Sequence, residues 1–134
     1  MGISANQARL MTLTARLHDL ELRAQQISAV KMQLSMQSQS AAMTYSNELN
    51  TYSEMMQEVD EDGNRVNSDE TCKNYIDKKK DDYDTYTTSL SSSEKLLDME
   101  LTQINTEHEA ANTEYDSIKS LISDNVDKSF NVFG

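Results

Sequence analysis

The sequence contains no proline and no tryptophan, and its only three glycines are Gly2, Gly63 and Gly134. Proline and glycine are the residues that most strongly interrupt helices. Two of the glycines stand at the chain ends and one stands near the middle, so the interior offers a single strong break. We therefore predict an all-α fold in which two long helices form an antiparallel, coiled-coil-like hairpin.

Cys72 is the only cysteine, so no disulfide can form within the chain. No apolar run is long enough to span a membrane, and the N-terminus lacks the apolar stretch of a cleaved signal peptide. Asn6 stands where a myristoylation signal requires Ser or Thr. We expect no membrane span, and a location in the cytoplasm or export without a cleaved signal peptide.

Basic residues are also few, and the net charge is -11. Residues 1–53 have a net charge of +1, whereas residues 54–134 have a net charge of −12. Nucleic acid is an unsuitable partner, because binding to phosphates requires a surplus of Lys and Arg. The two parts of the chain can instead attract each other.

The first half has the heptad pattern of a helix that packs along one stripe. Ser4 and Gln7 have the spacing of a capping box, which places the start of the first helix at residue 4 and its end near residue 57. A second heptad pattern follows in the last third of the chain. We predict that the two patterns form one seam, whose main residues are Leu10, Leu13, Leu17, Leu20, Ile27, Leu101, Ile104, Ile118 and Ile122.

Residues 58–68 contain Asp, Gly and Asn together, which predicts a turn. Val59 and Val66 flank this turn and could form a short β-hairpin tip over residues 59–67. Asn67 or Ser68 can cap the return helix, with Glu70 or Thr71 three residues further on.

The return helix is predicted over residues 69–128, followed by an apolar tail over 129–134 that contains Phe130 and Phe133. Residues 85–93 are rich in Ser and Thr, which are poor helix formers. A break near residues 88–92 is therefore an alternative to a continuous helix.

Charged residues predict the register of the hairpin. Three arginines and three glutamates each recur every seven residues, and facing residues of an antiparallel pair have a constant sum of residue numbers. The sum is 123 for each pair of this ladder, and half of it falls between Glu61 and Asp62, inside the predicted turn. The pairs are Arg9 with Glu114, Arg16 with Glu107, and Arg23 with Glu100.

The central turn has a partial match to a calcium-binding loop. Aligning Gly63 with the invariant glycine of an EF-hand makes Asp60, Asp62, Asn64 and Asp69 the candidate ligands. The first position is Glu58, and Asp69 is short for the final bidentate contact, so a turn without calcium is the simpler interpretation. No catalytic constellation or phosphate loop is visible, and we expect neither enzymatic activity nor a cofactor.

Several apolar residues lie outside the seam, and two helices alone bury little surface, which makes a lone hairpin marginal against its ordering entropy. These residues predict a second contact face, made by Met11, Leu22, Met32, Met36, Leu96, Met99 and Leu121. The expected partner is another copy of the chain or another helical protein.

The first residues, Ile3–Arg16, and the last, Asp124–Gly134, resemble a group of small uncharacterised bacterial proteins with helical ends and a variable middle. In layout and composition the chain also resembles subunits of type III-exported filaments, including flagellins and needle-sheath proteins, which similarly pair N- and C-terminal helices. This resemblance implies a structural, self-associating subunit of an exported filament or surface assembly. The alternative is a cytosolic adaptor or export chaperone that binds a partner helix between its arms.

Removal of the residues after Asp127 tests the predicted role of the tail. Because Phe130 and Phe133 are the only phenylalanines, we expect them to anchor one molecule on another. Truncation should lower the oligomer mass measured by light scattering while the helical circular dichroism signal is retained. Equal masses for the truncated and full-length proteins would rule out an anchor.

Overall fold

The computed structural model describes the backbone of residues 2–133 and the side chains of residues 2–128. Helix α1 spans Ile3–Gln57, helix α2 spans Asp69–Phe133, and the two pack against each other as a helical hairpin. The chain divides into two units, which are described separately below: a terminal unit, with the residues up to Ala29 and from Leu97 on, and a central unit, Val30–Leu96. Within the described residues, neither helix has a stretch long and apolar enough to cross a membrane.

The helix ends differ from the predicted ends in two places. Helix α1 begins at Ile3, and the Asn6 amide donates to the Gly2 carbonyl at 3.1 Å, so Ser4 already lies inside the helix. Helix α2 continues to Phe133, so residues 129–133 extend the helix instead of forming a separate tail. It also runs unbroken through residues 88–92, where a break was the alternative. No proline or glycine lies between Gly63 and Gly134 to stop it.

The turn between the helices is organised by Asp60 and Gly63. The Asp60 carboxylate accepts hydrogen bonds from the Asp62 and Asn64 amides, both at 2.9 Å. Gly63 has φ +82°, a conformation that favours glycine. The possible β-tip amounts to one isolated bridge between Val59 and Arg65.

Ser68 caps helix α2, because its Oγ accepts the Thr71 amide at 3.1 Å. The same Oγ donates to the Thr71 hydroxyl at 2.9 Å, so the serine satisfies one free amide at the start of the helix and is itself held in place. The predicted cap is thereby confirmed, with Thr71 as its partner three residues on.

The terminal unit contains the well-packed part of the seam. Leu13, Ala111 and Ile118 form one buried cluster, and Leu20, Ile27 and Ile104 form another. Side chains that are half-buried complete the two clusters: Leu10, Leu17, Ala24, Leu97, Leu101, Tyr115 and Ile122. The alternation of three- and four-residue steps along both helices turns these side chains towards each other.

The charge ladder lines one edge of the same unit. Arg9 donates from Nε and Nη2 to the two carboxylate oxygens of Glu114, at 2.8 and 3.0 Å. Arg16 Nη2 donates to Glu107 Oε2 at 2.8 Å, and Arg23 donates to Glu100. These are the pairs that the constant sum of 123 predicts. Their side chains remain partly exposed, so the ladder fixes the alignment of the helices more than it adds to stability.

The seam of the central unit is filled by smaller and more polar side chains. Tyr45 stacks on Tyr83 with ring centres 4.7 Å apart, and Glu48 lies 4.0 Å from the Lys79 ammonium group. Such residues leave space between the helices: a groove of about 480 Å³ beside Tyr45, and a smaller cleft of about 220 Å³ beside Leu34. The helices are therefore less completely packed in this unit.

Replacing a core leucine should reveal the strength of the terminal seam. Leu20 is only 3% exposed, so we expect Leu20→Ala to lower the free energy of unfolding by about 2–5 kcal/mol. Met99, in the same unit, is 67% exposed, and Met99→Ala should change the free energy of unfolding by less than about 0.5 kcal/mol. Urea unfolding followed by circular dichroism, at one protein concentration, makes the comparison. Equal losses for both variants would contradict the packing described here.

The Arg9–Glu114 pair predicts a specific pH dependence. Hydrogen bonding from the Arg9 guanidinium lowers the pKa of the Glu114 carboxyl below its ordinary value. A carboxyl with a lower pKa in the folded state stabilises the fold above its unfolded pKa and loses that contribution as the pH falls through the folded pKa. The NMR titration midpoint of Glu114 should therefore rise in Arg9→Gln. An unchanged midpoint would show that the pair does not form in solution.

Candidate assembly surfaces

The predicted interaction residues of the seam are already occupied within one molecule. All of Leu10, Leu13, Leu17, Leu20, Ile27, Leu101, Ile104, Ile118 and Ile122 belong to the two clusters that hold α1 against α2. While the hairpin is closed, these side chains are buried or half-buried between the two helices. Contacts between molecules therefore require side chains outside the seam.

The predicted second face is exposed. In the terminal unit Met11, Leu22, Met99 and Leu121 are exposed, and in the central unit Met32, Met36 and Leu96 are exposed. The structure adds Met43, at 69% exposure, seven residues after Met36. We call the exposed residues Met32, Met36 and Met43 of the central unit the outward stripe of α1.

Two residues of the outward stripe, Met36 and Met43, belong to a repeat that is visible in the sequence. Every seventh position from 8 to 43 holds an apolar residue, namely Ala8, Ala15, Leu22, Ala29, Met36 and Met43. All six are exposed, so this repeat is distinct from the buried seam. Met43 is absent from the predicted second face, and this spacing is the signal that would have identified it.

The surroundings of the outward stripe are almost free of charge. Lys31 is the only charged residue between Ala24 and Asn47, in a segment made mainly of Gln, Ser, Ala and Met. Helix α1 has equal numbers of acidic and basic residues, whereas α2 has a net charge of −8. The outward stripe is therefore an uncharged surface on a strongly acidic molecule.

The second candidate surface is the groove of about 480 Å³ in the central unit, which we call the tyrosine groove. Tyr45 and Tyr83 stack within it, and Tyr86 lies on its rim at 43% exposure. On α1 the groove is lined by Gln37, Ser40, Ala41 and Thr44 together with Tyr45 and Glu48. Small side chains beside aromatic rings from both helices make a surface that can receive the ridge of another helix.

Charges inside the tyrosine groove are largely balanced. The Lys79 ammonium group lies 4.0 Å from Glu48 and 5.6 Å from the centre of the Tyr75 ring. Asp82 is the remaining ionised side chain among the lining residues. The groove therefore offers no unbalanced positive charge to an acidic ligand, and its apolar and aromatic parts suit an uncharged one.

The calcium hypothesis is not supported by the arrangement of the turn. The Asp60 carboxylate is used by two backbone amides, and Asp69 pairs with Arg65 Nη1 instead of turning towards Asp62 and Asn64. Within the described part of the chain, no three His, Cys, Asp or Glu side chains are grouped so that they could hold a metal ion. The Asp60 carboxylate therefore organises the backbone of the turn.

The remaining reactive residues have structural contacts. Glu21 lies between two histidines, with His108 Nε2 at 3.1 Å and His18 Nδ1 at 3.6 Å, and the contact with His108 links α1 to α2 beside the seam. Cys72 is only 1% exposed. Phe130 and Phe133, the proposed anchor, have side chains outside the described residues.

Comparisons with family models, with curated proteins and with solved structures find no match to this chain.

Proposed function

We propose that this chain is a structural helical subunit that associates with other copies of itself through the outward stripe of α1. The observation behind this proposal is the combination of exposed methionines at heptad spacing with an uncharged surrounding surface. An exported filament or another surface assembly is the setting that the layout resemblance implies.

Packing physics supports a helical partner. An apolar side chain that recurs every seven residues stays on one side of a helix that supercoils with another helix. Single exposed apolar residues are common on protein surfaces and need no explanation. A regular series of six such positions, from Ala8 to Met43, is a more specific feature, because it matches the geometry of helix pairing.

Charge supports a second copy as the partner. Two molecules that each have a net charge of -11 repel each other, and most of this charge lies on α2 and the turn. The uncharged surface around the outward stripe is where two copies can approach with the least repulsion. Association should therefore strengthen when salt screens the remaining repulsion.

The tyrosine groove favours one alternative function, an adaptor or export chaperone. A groove between two helices, lined by aromatic and small residues, suits a single partner helix. An adaptor of this kind would keep the same mass at every concentration, whereas a self-assembling subunit would grow.

Light scattering across a concentration series tests the proposal. We expect the mass to rise with protein concentration, and Met36→Lys to weaken association about tenfold or more, because burying a methionine stabilises a contact by about 1.5–3 kcal/mol. Met99→Lys is the matched control, because Met99 is 67% exposed and Met36 is 63% exposed. This control should associate as well as the unchanged protein.

Two results would contradict the proposal. A single-chain mass at all concentrations would exclude self-association and favour the adaptor. Equal effects of Met36→Lys and Met99→Lys would show that association does not use the outward stripe.

A further inference from the structure

The tyrosine groove sets conditions on whatever binds in it. Because Lys79 is already balanced by Glu48, an acidic ridge entering the groove would lose hydration without gaining a free positive counter-charge. The small wall residues Ser40, Ala41 and Thr44 leave room for long side chains that point towards the tyrosine rings. An uncharged helix with long, flexible apolar side chains meets these conditions.

Methionine is the side chain that fits this description best. It has three rotatable bonds and no branches, and its sulfur makes favourable contacts with aromatic rings, worth about 0.3–1.5 kcal/mol each. Met36 and Met43 of the outward stripe are such side chains, on an uncharged helical segment.

The dimensions of the two surfaces agree. Met36 and Met43 are seven residues apart, which is about 10.5 Å along a helix at about 1.5 Å per residue. The groove follows α1 from Gln37 to Glu48, a length of about 16 Å by the same rise. Two successive methionines of the stripe therefore fit within the length of one groove.

Stripe and groove cannot meet within one molecule. Both belong to the same stretch of α1, and Met36 and Met43 are exposed and do not line the groove beside them. A contact between the two surfaces therefore requires a second copy of the chain.

We propose that Met36 and Met43 of one copy insert into the tyrosine groove of a second copy, against Tyr45, Tyr83 and Tyr86. This inference rests on the proposed function and names the two surfaces that meet. Because they are different patches, a contact that is not reciprocal is heterologous: each added copy leaves one stripe and one groove free, so the assembly grows until it closes into a ring or continues as a filament. Two copies that insert into each other's grooves, or a contact of one stripe with another, would instead stop at the mass of a dimer.

Two variants, alone and mixed, distinguish these arrangements. The stripe variant combines Met36→Lys with Met43→Lys, and the groove variant combines Thr44→Arg with Tyr86→Arg, on the exposed wall and rim of the groove. We expect each variant alone to remain at the mass of one chain, with association weakened at least a hundredfold. An equimolar mixture should form dimers and nothing larger, because only the stripe of the groove variant and the groove of the stripe variant are intact.

Other outcomes have distinct meanings. If the groove variant alone still associates as the unchanged protein does, or if the mixture stays at the mass of one chain, the heterologous contact is wrong while self-association remains. If the unchanged protein never associates, the proposed function itself fails. Circular dichroism melting curves control for folding of both variants.

A measurement on the unchanged protein keeps the test independent of the substitutions. In a sample with labelled methionine methyl groups, NMR signals of Met36 and Met43 should move upfield as concentration rises, because they approach aromatic rings. The signal of Met99, which belongs to neither surface, should stay in place. Shifts that are absent at Met36 and Met43, or equal at Met99, would overturn the contact.

Discussion

The leucine and isoleucine seam of the terminal unit is the interaction on which the rest of the structure depends. Its two buried clusters hold α1 against α2, and the three arginine–glutamate pairs at its edge exclude other alignments of the two helices. A shift of one helix by one residue would remove both the packing and the pairs. Because this seam is already packed inside one molecule, contacts with other molecules depend on the surfaces outside it.

The central unit shows what happens when the same hairpin lacks a strong seam. Where the terminal unit places Leu20 and Ile104, the central unit has Ala41, Tyr45, Glu48 and Thr87, which are small, polar or aromatic. These side chains do not interdigitate as branched aliphatic ones do, and the tyrosine groove is the space that remains. Few buried apolar side chains also mean low local stability, so we expect this unit to exchange its amide protons faster than the terminal unit.

Much of the fold could be predicted from the sequence, because helical periodicity and turn chemistry are local. The single interior glycine located the turn, Ser68 was one of two predicted caps, and the seventh-residue spacing of Arg9, Arg16 and Arg23 gave the register. The end of α2 was not predicted correctly. Phe130 and Phe133 were interpreted as a tail, although no helix breaker precedes them. The start of α1 was placed at Ser4 because Ser4 and Gln7 have the spacing of a capping box. In the structure, the first helical hydrogen bond is instead accepted by the Gly2 carbonyl.

The candidate surfaces were harder to predict than the fold. The outward methionines could be recognised in part, since exposure follows from distance to the seam. The tyrosine groove could not, because it depends on how side chains from residues 37–48 and 79–86 fill the space between two helices. One seam residue was also not predicted. Asn6 lies seven residues before Leu13, at a position where the heptad pattern would favour an apolar residue. Its side chain is buried, and its Oδ1 has no hydrogen-bond partner among the described residues.

The proposed assembly explains why the heptad pattern of α1 is interrupted at residues 37–40. Residues 37–40, Gln-Ser-Gln-Ser, interrupt the apolar seam and would only destabilise an isolated hairpin. In the assembly, the small side chains at Ser40, Ala41 and Thr44 open the wall of the groove, while Met36 and Met43 on the same segment provide the side chains that fill the groove of the next copy. Larger aliphatic residues at these positions would strengthen each hairpin and close the groove. If copies associate as proposed, this segment exchanges stability within one molecule for contact between molecules.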